Sequence, residues 1–256
     1  MKIGFDTPAA KWDEALPIGN GKLGGMVFGN PCTERIQLNE DSVWYGGPQN
    51  RLNPSAKEKL PQIRSLIMEG KIKEAQELCA LALSGLPEEQ RHYEPLGNFY
   101  LEFDGTEFAT SQYHRELDLD QAVVTTSFVL EGVHYKRQII ASYPKNAIII
   151  HLTADQPGSL SFHGELTMEA VAGGRNGVEI AAGLKVICRG GETETIGNTT
   201  MVRGADEAMI ILAADTTYRE QDPIQSVCLV WKKWLAIHGK SCCGSMFWTI
   251  RVYMTV

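Results

Sequence analysis

No segment of this 256-residue sequence stays apolar for long. The longest strongly apolar run, Ala147 to Leu152, already contains His151, whereas a membrane-spanning helix needs roughly 20 apolar residues. No membrane partner is expected. The N-terminus, Met1-Lys2-Ile3-Gly4-Phe5-Asp6, has no apolar stretch leading to a cleavage site, so the expected compartment is the cytoplasm. Cysteine is sparse and poorly spaced: Cys32, Cys79, Cys188, Cys228 and the adjacent pair Cys242-Cys243 form no C-x-x-C. Neighbouring cysteines bridge each other only under strain, and nothing resembles a disulfide framework or a zinc site. H-E-x-x-H and G-x-S-x-G are also missing, and the six histidines are scattered. No metal and no cofactor is therefore expected.

Acid is missing from one region. Residues 224–256 hold no Asp or Glu but four bases, Lys232, Lys233, Lys240 and Arg251. With 24 basic and 31 acidic residues in the chain, residues 1–223 keep 20 and 31, a net of −11, and the last 33 residues carry +4. A body at −11 repels nucleic acid at long range, so no nucleic-acid partner is expected. Half of the six Cys and three of the five Trp (Trp231, Trp234 and Trp248) also fall in that tail. We read residues 224–256 as a divergent tail, a frame-shifted or truncated linker contributing only loose contacts. The competing reading is a greasy segment packed on the body. Gln225 to Ala236 can still form a short helix, with Val227, Val230, Trp231 and Trp234 at helical spacing. No sequence feature sets an oligomeric state.

What is present is ordinary globular composition: 43% apolar, 21% charged, with 25 Gly and 11 Pro, which excludes disorder, collagen and coiled coil. Leu23 to Gly29 reads as a glycine-bounded strand, and Arg35 to Asn39 alternates polar and apolar residues. Residues 54–83 form the one helical insertion. Leu60, Ile63, Leu66 and Ile67 share one helical face, and Ile72, Ala75, Leu78 and Cys79 repeat the spacing after Gly70. This predicts a helical hairpin laid on a sheet. From about residue 97 strand patterns follow one another: Asn98–Phe103, Tyr113–Leu119, Ala122–Leu130, Val133–Ser142, Ala147–Thr153, Ser159–Thr167, Val178–Cys188 and Ala208–Ala214. Strands at this spacing without intervening helices predict a mainly β fold, an antiparallel sandwich.

Few motifs carry chemistry. Gly19-Asn20-Gly21-Lys22-Leu23-Gly24 fits G-x-G-x-x-G, but a strand rather than a helix is expected after it, so it reads as a turn and not a nucleotide cradle. Acidic pairs occur at Asp13-Glu14, Glu40-Asp41 and Asp118/Asp120. Glycoside hydrolysis needs two carboxylates flanking one bond, and spacing alone does not show which pairs converge. The Asn39–Trp44 segment is the most suggestive. Asn39, Asp41 and Trp44 offer an amide, an acid and a ring that could grip a sugar by hydrogen bonds and stacking. The plainer reading is a structural turn with Trp44 in the core.

Residues Trp12 to Pro54, "WDEALPIGNGKLGGMVFGNPCTERIQLNEDSVWYGGPQNRLNP", resemble the opening of glycoside hydrolase family 95, whose founding activity is α-L-fucosidase. The stretches "IRSLIMEGKIKEAQEL" (Ile63 to Leu78), "YEPLGNFYLEF" (Tyr93 to Phe103), "YHRELDLDQAVVTTSF" (Tyr113 to Phe128) and "GVHYKRQIIASYPKNAIIIHLTA" (Gly132 to Ala154) continue in that family's order. The resemblance covers about residues 10–222. It implies an N-terminal β-super-sandwich, residues 1–223, followed in the family by a helical linker, an (α/α)6 barrel and a C-terminal β domain. It also implies inverting hydrolysis of terminal α-L-fucosyl residues, with the catalytic carboxylates in the barrel. None of those groups maps onto a position here, so no catalytic residue is expected, and the fucosylated glycan is expected to meet the barrel. Two other functions compete: a stand-alone carbohydrate-binding module, and, by fold analogy alone, a sugar epimerase.

Overall fold

A computed structural model describes residues 1–104, 110–170, 177–238 and 250–251. The chain runs through β1 (Lys2–Phe5), a 3-10 turn (Trp12–Glu14), β2 (Leu16–Gly19), β3 (Leu23–Val27) and β4 (Thr33–Glu40). Two helices follow, α1 (Ala56–Met68) and α2 (Ile72–Leu83), then β5 (Gly97–Phe103), β6 (Ser111–Asp118), β7 (Val123–Leu130), β8 (Val133–Ser142) and β9 (Ala147–Ala154). The last elements are β10 (Leu160–Met168), β11 (Ile180–Arg189), β12 (Glu192–Ile196), β13 (Thr199–Ala205), β14 (Glu207–Thr216), α3 (Pro223–His238) and the short β15 (Ile250–Arg251).

The strands form two antiparallel sheets. One has eight strands in the order β1-β6-β7-β8-β9-β14-β11-β15, the other seven in the order β12-β13-β10-β5-β4-β3-β2. The mainly β sandwich is thus the architecture. Alternation along each strand builds its interior: Ile36 and Leu38 of β4, Phe99 and Leu101 of β5, Ile148, Ile150 and Leu152 of β9, and Ile210 and Leu212 of β14 all join one buried cluster. Tight turns keep the strands adjacent. Glu131-Gly132 joins β7 to β8 with both residues at positive φ, the conformation a two-residue hairpin requires. The Gly19–Gly24 segment is likewise the connection between paired strands β2 and β3.

One end of the interior is polar. Arg115, Thr126 and Arg137 lie side by side across β6, β7 and β8, all three buried. Facing them is Glu34, fully buried, whose Oε2 lies 2.8 Å from Arg137 Nη2. Burial pushes the Glu34 carboxyl above its ordinary range, while Arg137 pulls it back. Arg137 Nη2 also donates to Asn30 O at 2.7 Å, and Arg115 donates to Thr7 O and Glu14 O at 2.7 and 2.8 Å. The two arginines thereby hold the β3–β4 turn and the N-terminal segment onto the sandwich.

Two expectations need correction. The α1–α2 hairpin exists, broken at Gly70 with φ +77°, but it is not laid flat on a sheet. Ile63, Ala75 and Ala82 are buried, whereas Leu60, Ile67 and Ile72 are exposed; the two helices use part of the apolar stripe on each other and leave the rest in solvent. The second concerns the tail. Residues 223–238 do more than make loose contacts, because α3 seats Val227 and Trp231, both buried, on Ile211, Ala213, Ala181 and Ile187 of the eight-stranded sheet; residues 239–249 and 252–256 of that tail lie outside the described residues. Trp231 Nε1 donates to Ile211 O at 3.2 Å. Covered on both faces, β14 and β11 lose the in-out alternation and are buried almost throughout.

Candidate functional site

The register of β4 decides where each group of the Asn39–Trp44 segment goes. Glu34, Ile36, Leu38 and Glu40 share the buried face, and Asn39 falls on the other. The strand ends at Glu40, and the chain turns through Asp41 and Ser42. Glu40 is wholly buried and satisfied locally: Ser42 N and Ser42 Oγ donate to Oε2 at 2.8 and 2.6 Å. Ser42 Oγ also lies 2.6 Å from Thr216 Oγ1 at the end of β14. Burial pushes the Glu40 carboxyl up from its ordinary value.

Asp41 has the opposite environment. Arg219, on the turn between β14 and α3, donates Nη2 to Oδ2 at 2.6 Å and Nη1 to Oδ1, and Nη1 also reaches Glu40 Oε1 at 3.3 Å. This fork holds the Asp41 carboxyl below its ordinary range. The Asp41 carbonyl accepts from Trp44 Nε1 at 3.2 Å. Trp44 in turn packs edge-on against Tyr93, with ring centroids 5.6 Å apart. Tyr93 Oη donates to Glu40 O at 3.1 Å and to Asn39 Oδ1 at 3.3 Å. Trp44 is not a core residue: 38% of its surface is exposed.

Beside this turn lies an open cleft of about 510 Å³. Asp41 and Trp44 line it; Asn39 does not, being held behind them by Tyr93. Tyr45 and Tyr218 add two more partly exposed rings, and Gln49, Arg51, Arg91 and Arg219 supply polar groups. Tyr45 is itself braced by His92, stacked at 4.9 Å, and by the Arg91 guanidinium 5.7 Å from its ring centre. Rings half in solvent, flanked by fixed donors, suit a ligand with an apolar face and hydroxyl edges. The Tyr45–Gln49 part could have been read from the Gly-Pro-rich stretch beside Trp44. Tyr218 and Arg219 left no local signal, because only the pairing of β14 brings them near. Among the described residues no three His, Cys, Asp or Glu side chains are grouped to hold a metal ion, and no helix is long and apolar enough to cross a membrane.

Asp215 ties the same region to α3. Its Oδ1 accepts from Lys22 Nζ and its Oδ2 from Ser226 Oγ, both at 2.8 Å. The β2–β3 turn, the end of β14 and the start of α3 are therefore joined by one buried carboxylate.

With this geometry established, comparison with known proteins gives the following. The chain is 38% identical over 164 residues to "Alpha-L-fucosidase 2" of Arabidopsis thaliana, covering 63% of this chain and 19% of that protein. It is 32% identical over 161 residues to "Probable alpha-fucosidase A" of Aspergillus oryzae, covering 59% of this chain and 21% of the relative. It thus spans about a fifth of the length of these curated relatives. Among solved structures, the "Putative kojibiose phosphorylase from human microbiome" aligns over 93% of this chain and 35% of that chain, at 8% identity and a TM-score of 0.46. The fucosidase relatives agree with the likeness read from the motifs, although the family model that matches bears a different number. That model, "Glycosyl hydrolase family 65, N-terminal domain", covers residues 3–172, more than half of the sequence, and this chain belongs to that family.

Proposed function

We propose that this chain is the accessory sandwich of an α-L-fucosidase-like glycoside hydrolase, and that its Asp41–Trp44 cleft forms one wall of a glycan site. The catalytic groups come from another domain. The observation that carries this reading is the cleft itself: the solvent-exposed rings of Trp44, Tyr45 and Tyr218 beside the Asp41–Arg219 fork. Sugars present apolar ring faces to such aromatics and hydroxyls to such forks. The fucosidase names of the relatives supply the substrate class. A stand-alone carbohydrate-binding module is the second reading; the solvent-exposed rings of Trp44, Tyr45 and Tyr218 are the surface such a module would present to a sugar.

Titrating the purified chain with a fucosylated oligosaccharide by ligand-observed NMR, and assaying an aryl α-L-fucoside in parallel, tests the proposal. Saturable binding that is lost in Trp44→Ala, without turnover, is the expected result. Hydrolysis that survives repurification and disappears in Asp41→Asn would overturn the accessory reading. Absence of any binding would overturn the glycan reading.

A further inference from the structure

The charge in the cleft is out of balance. Four charged side chains line it, Asp41, Arg51, Arg91 and Arg219. Asp41 and Arg219 neutralise one another through their fork. The remaining two are both cations, and the acceptors they meet are neutral. Arg51 donates Nε to Pro87 O at 2.9 Å and Nη2 to Glu88 O. Arg91 lies over Tyr45 and, with the Gln49 amide oriented to suit its neighbours, gives Nε at 3.1 Å and Nη2 to the Gln49 oxygen. Neutral acceptors position a guanidinium without cancelling its charge.

Space is kept for one of them. Gly46 has φ +73°, and a Cβ built there would fall 1.4 Å from Arg91 Nη1. The backbone of the glycine turn is therefore what admits this guanidinium to the cleft wall. Among the described residues no acceptor meets Arg91 Nη1.

We infer that the cleft takes a glycan carrying a negatively charged group, a uronic carboxylate or a sulfate ester, seated against Arg91 and Arg51 while a neutral ring stacks on Trp44 or Tyr45. This rests on the glycan reading above and narrows its substrate class. The rest of the molecule limits the size of the anion. A polyanion such as nucleic acid would lie along a body of net charge −11 over residues 1–223, whereas a single anionic group on an otherwise neutral sugar chain meets only the local cations. Arginine, which pairs with carboxylate and sulfate through parallel donors, is the side chain suited to that contact.

The test compares matched probes on the full chain at neutral pH. Trigalacturonate is set against its methyl-esterified form, and methyl α-L-fucoside against its sulfated form, each by calorimetric titration at low salt and at about 0.3 M salt. At least one charged probe should bind about fivefold more tightly than its neutral partner at low salt, and most of that ratio should vanish at the higher salt. The pair that shows the ratio identifies carboxylate or sulfate as the group. In Arg91→Gln the ratio should fall to about one with the melting temperature unchanged, and Arg91→Lys should restore part of it. Equal binding of charged and neutral members of both pairs, or a ratio that persists in Arg91→Gln, overturns this inference and leaves the glycan reading standing. Failure of all four probes to bind overturns both.

Discussion

Arg219 and Asp41 are 178 residues apart in sequence and meet fork to fork, Nη2 on Oδ2 at 2.6 Å and Nη1 on Oδ1. The pair fastens the turn that carries Trp44 to the segment leading into α3. Its energetics follow from exposure. Asp41 and Arg219 keep 41% and 36% of their side-chain surface in solvent, so the pair contributes under about 1 kcal/mol to stability.

Arg219→Gln should therefore lower unfolding free energy by less than about 1 kcal/mol at neutral pH, with a pH dependence of definite sign. The Asp41 pKa is depressed in the fold, chiefly by the hydrogen bonds from Arg219. Its contribution is present above the ordinary value of 3.8 and is lost as pH falls through the lower folded value. Glu40, raised by burial, is neutralised at higher pH than Asp41 and by then no longer draws on Arg219. The gap between wild type and variant should close on acidification below the ordinary Asp range, as read by urea melts at a series of pH values.

Trp44→Ala should separate binding from stability. The ring is partly exposed and touches Tyr93 edge-on, so its loss should cost about 1 kcal/mol in a urea melt, while fucosylated-glycan binding falls about tenfold or more. A large drop in melting temperature with binding intact would make Trp44 a structural residue after all.

Trp231→Ala should behave in the reverse way. That ring is wholly buried under α3 and bonded to Ile211 O, and its removal should cost about 3–5 kcal/mol, the range for large aromatic truncations. Truncation after Asp222 should cost a comparable amount. Equal stability of all three forms would return the tail to a loose appendage.

Glu34→Ala should also be severe. It leaves Arg137, 1% exposed, without its carboxylate, while Arg137 Nε and Nη1 already lack hydrogen-bond partners among the described residues. Breaking a buried pair from one side costs about 3–5 kcal/mol, measurable by denaturant unfolding. The double variant Glu34→Leu, Arg137→Met should recover much of the loss.

The strands from residue 97 to 188 were legible because their period-2 patterns face one core and are bounded by turn residues, as at Glu131-Gly132. The β12–β13 hairpin was not. Its strands are polar, with Glu192, Glu194 and Ile196 on the exposed face, and the Gly197-Asn198 step between them was the one cue. Trp44 illustrates a second limit. Its partner Tyr93 lies beyond the whole α1–α2 insertion, so the sequence offered a ring and no way to tell core from cleft. Glu40 and Asp41 were read as one acidic pair, yet strand register buries one and turns the other outward. The first part of the tail, through His238, misled because the tail's composition is abnormal while the spacing of Val227, Val230, Trp231 and Trp234 is a normal amphipathic helix. Spacing, which decides burial, proved the better guide.

The length of chain between the two halves of the Asp41–Arg219 fork has a consequence for synthesis. β4 leaves the ribosome long before residue 219 is made. At the usual rate of about 5–20 residues per second, the intervening 178 residues take roughly 10–35 s. Throughout that interval the aromatic turn is unclamped, its buried Glu40 has no Thr216 beside Ser42, and Lys22 has no Asp215. A nascent or prematurely terminated chain ending before β14 therefore carries Asp41 and Trp44 without Asp215, Thr216 or Arg219, so this turn is fastened only once β14 and the residues just after it have been made.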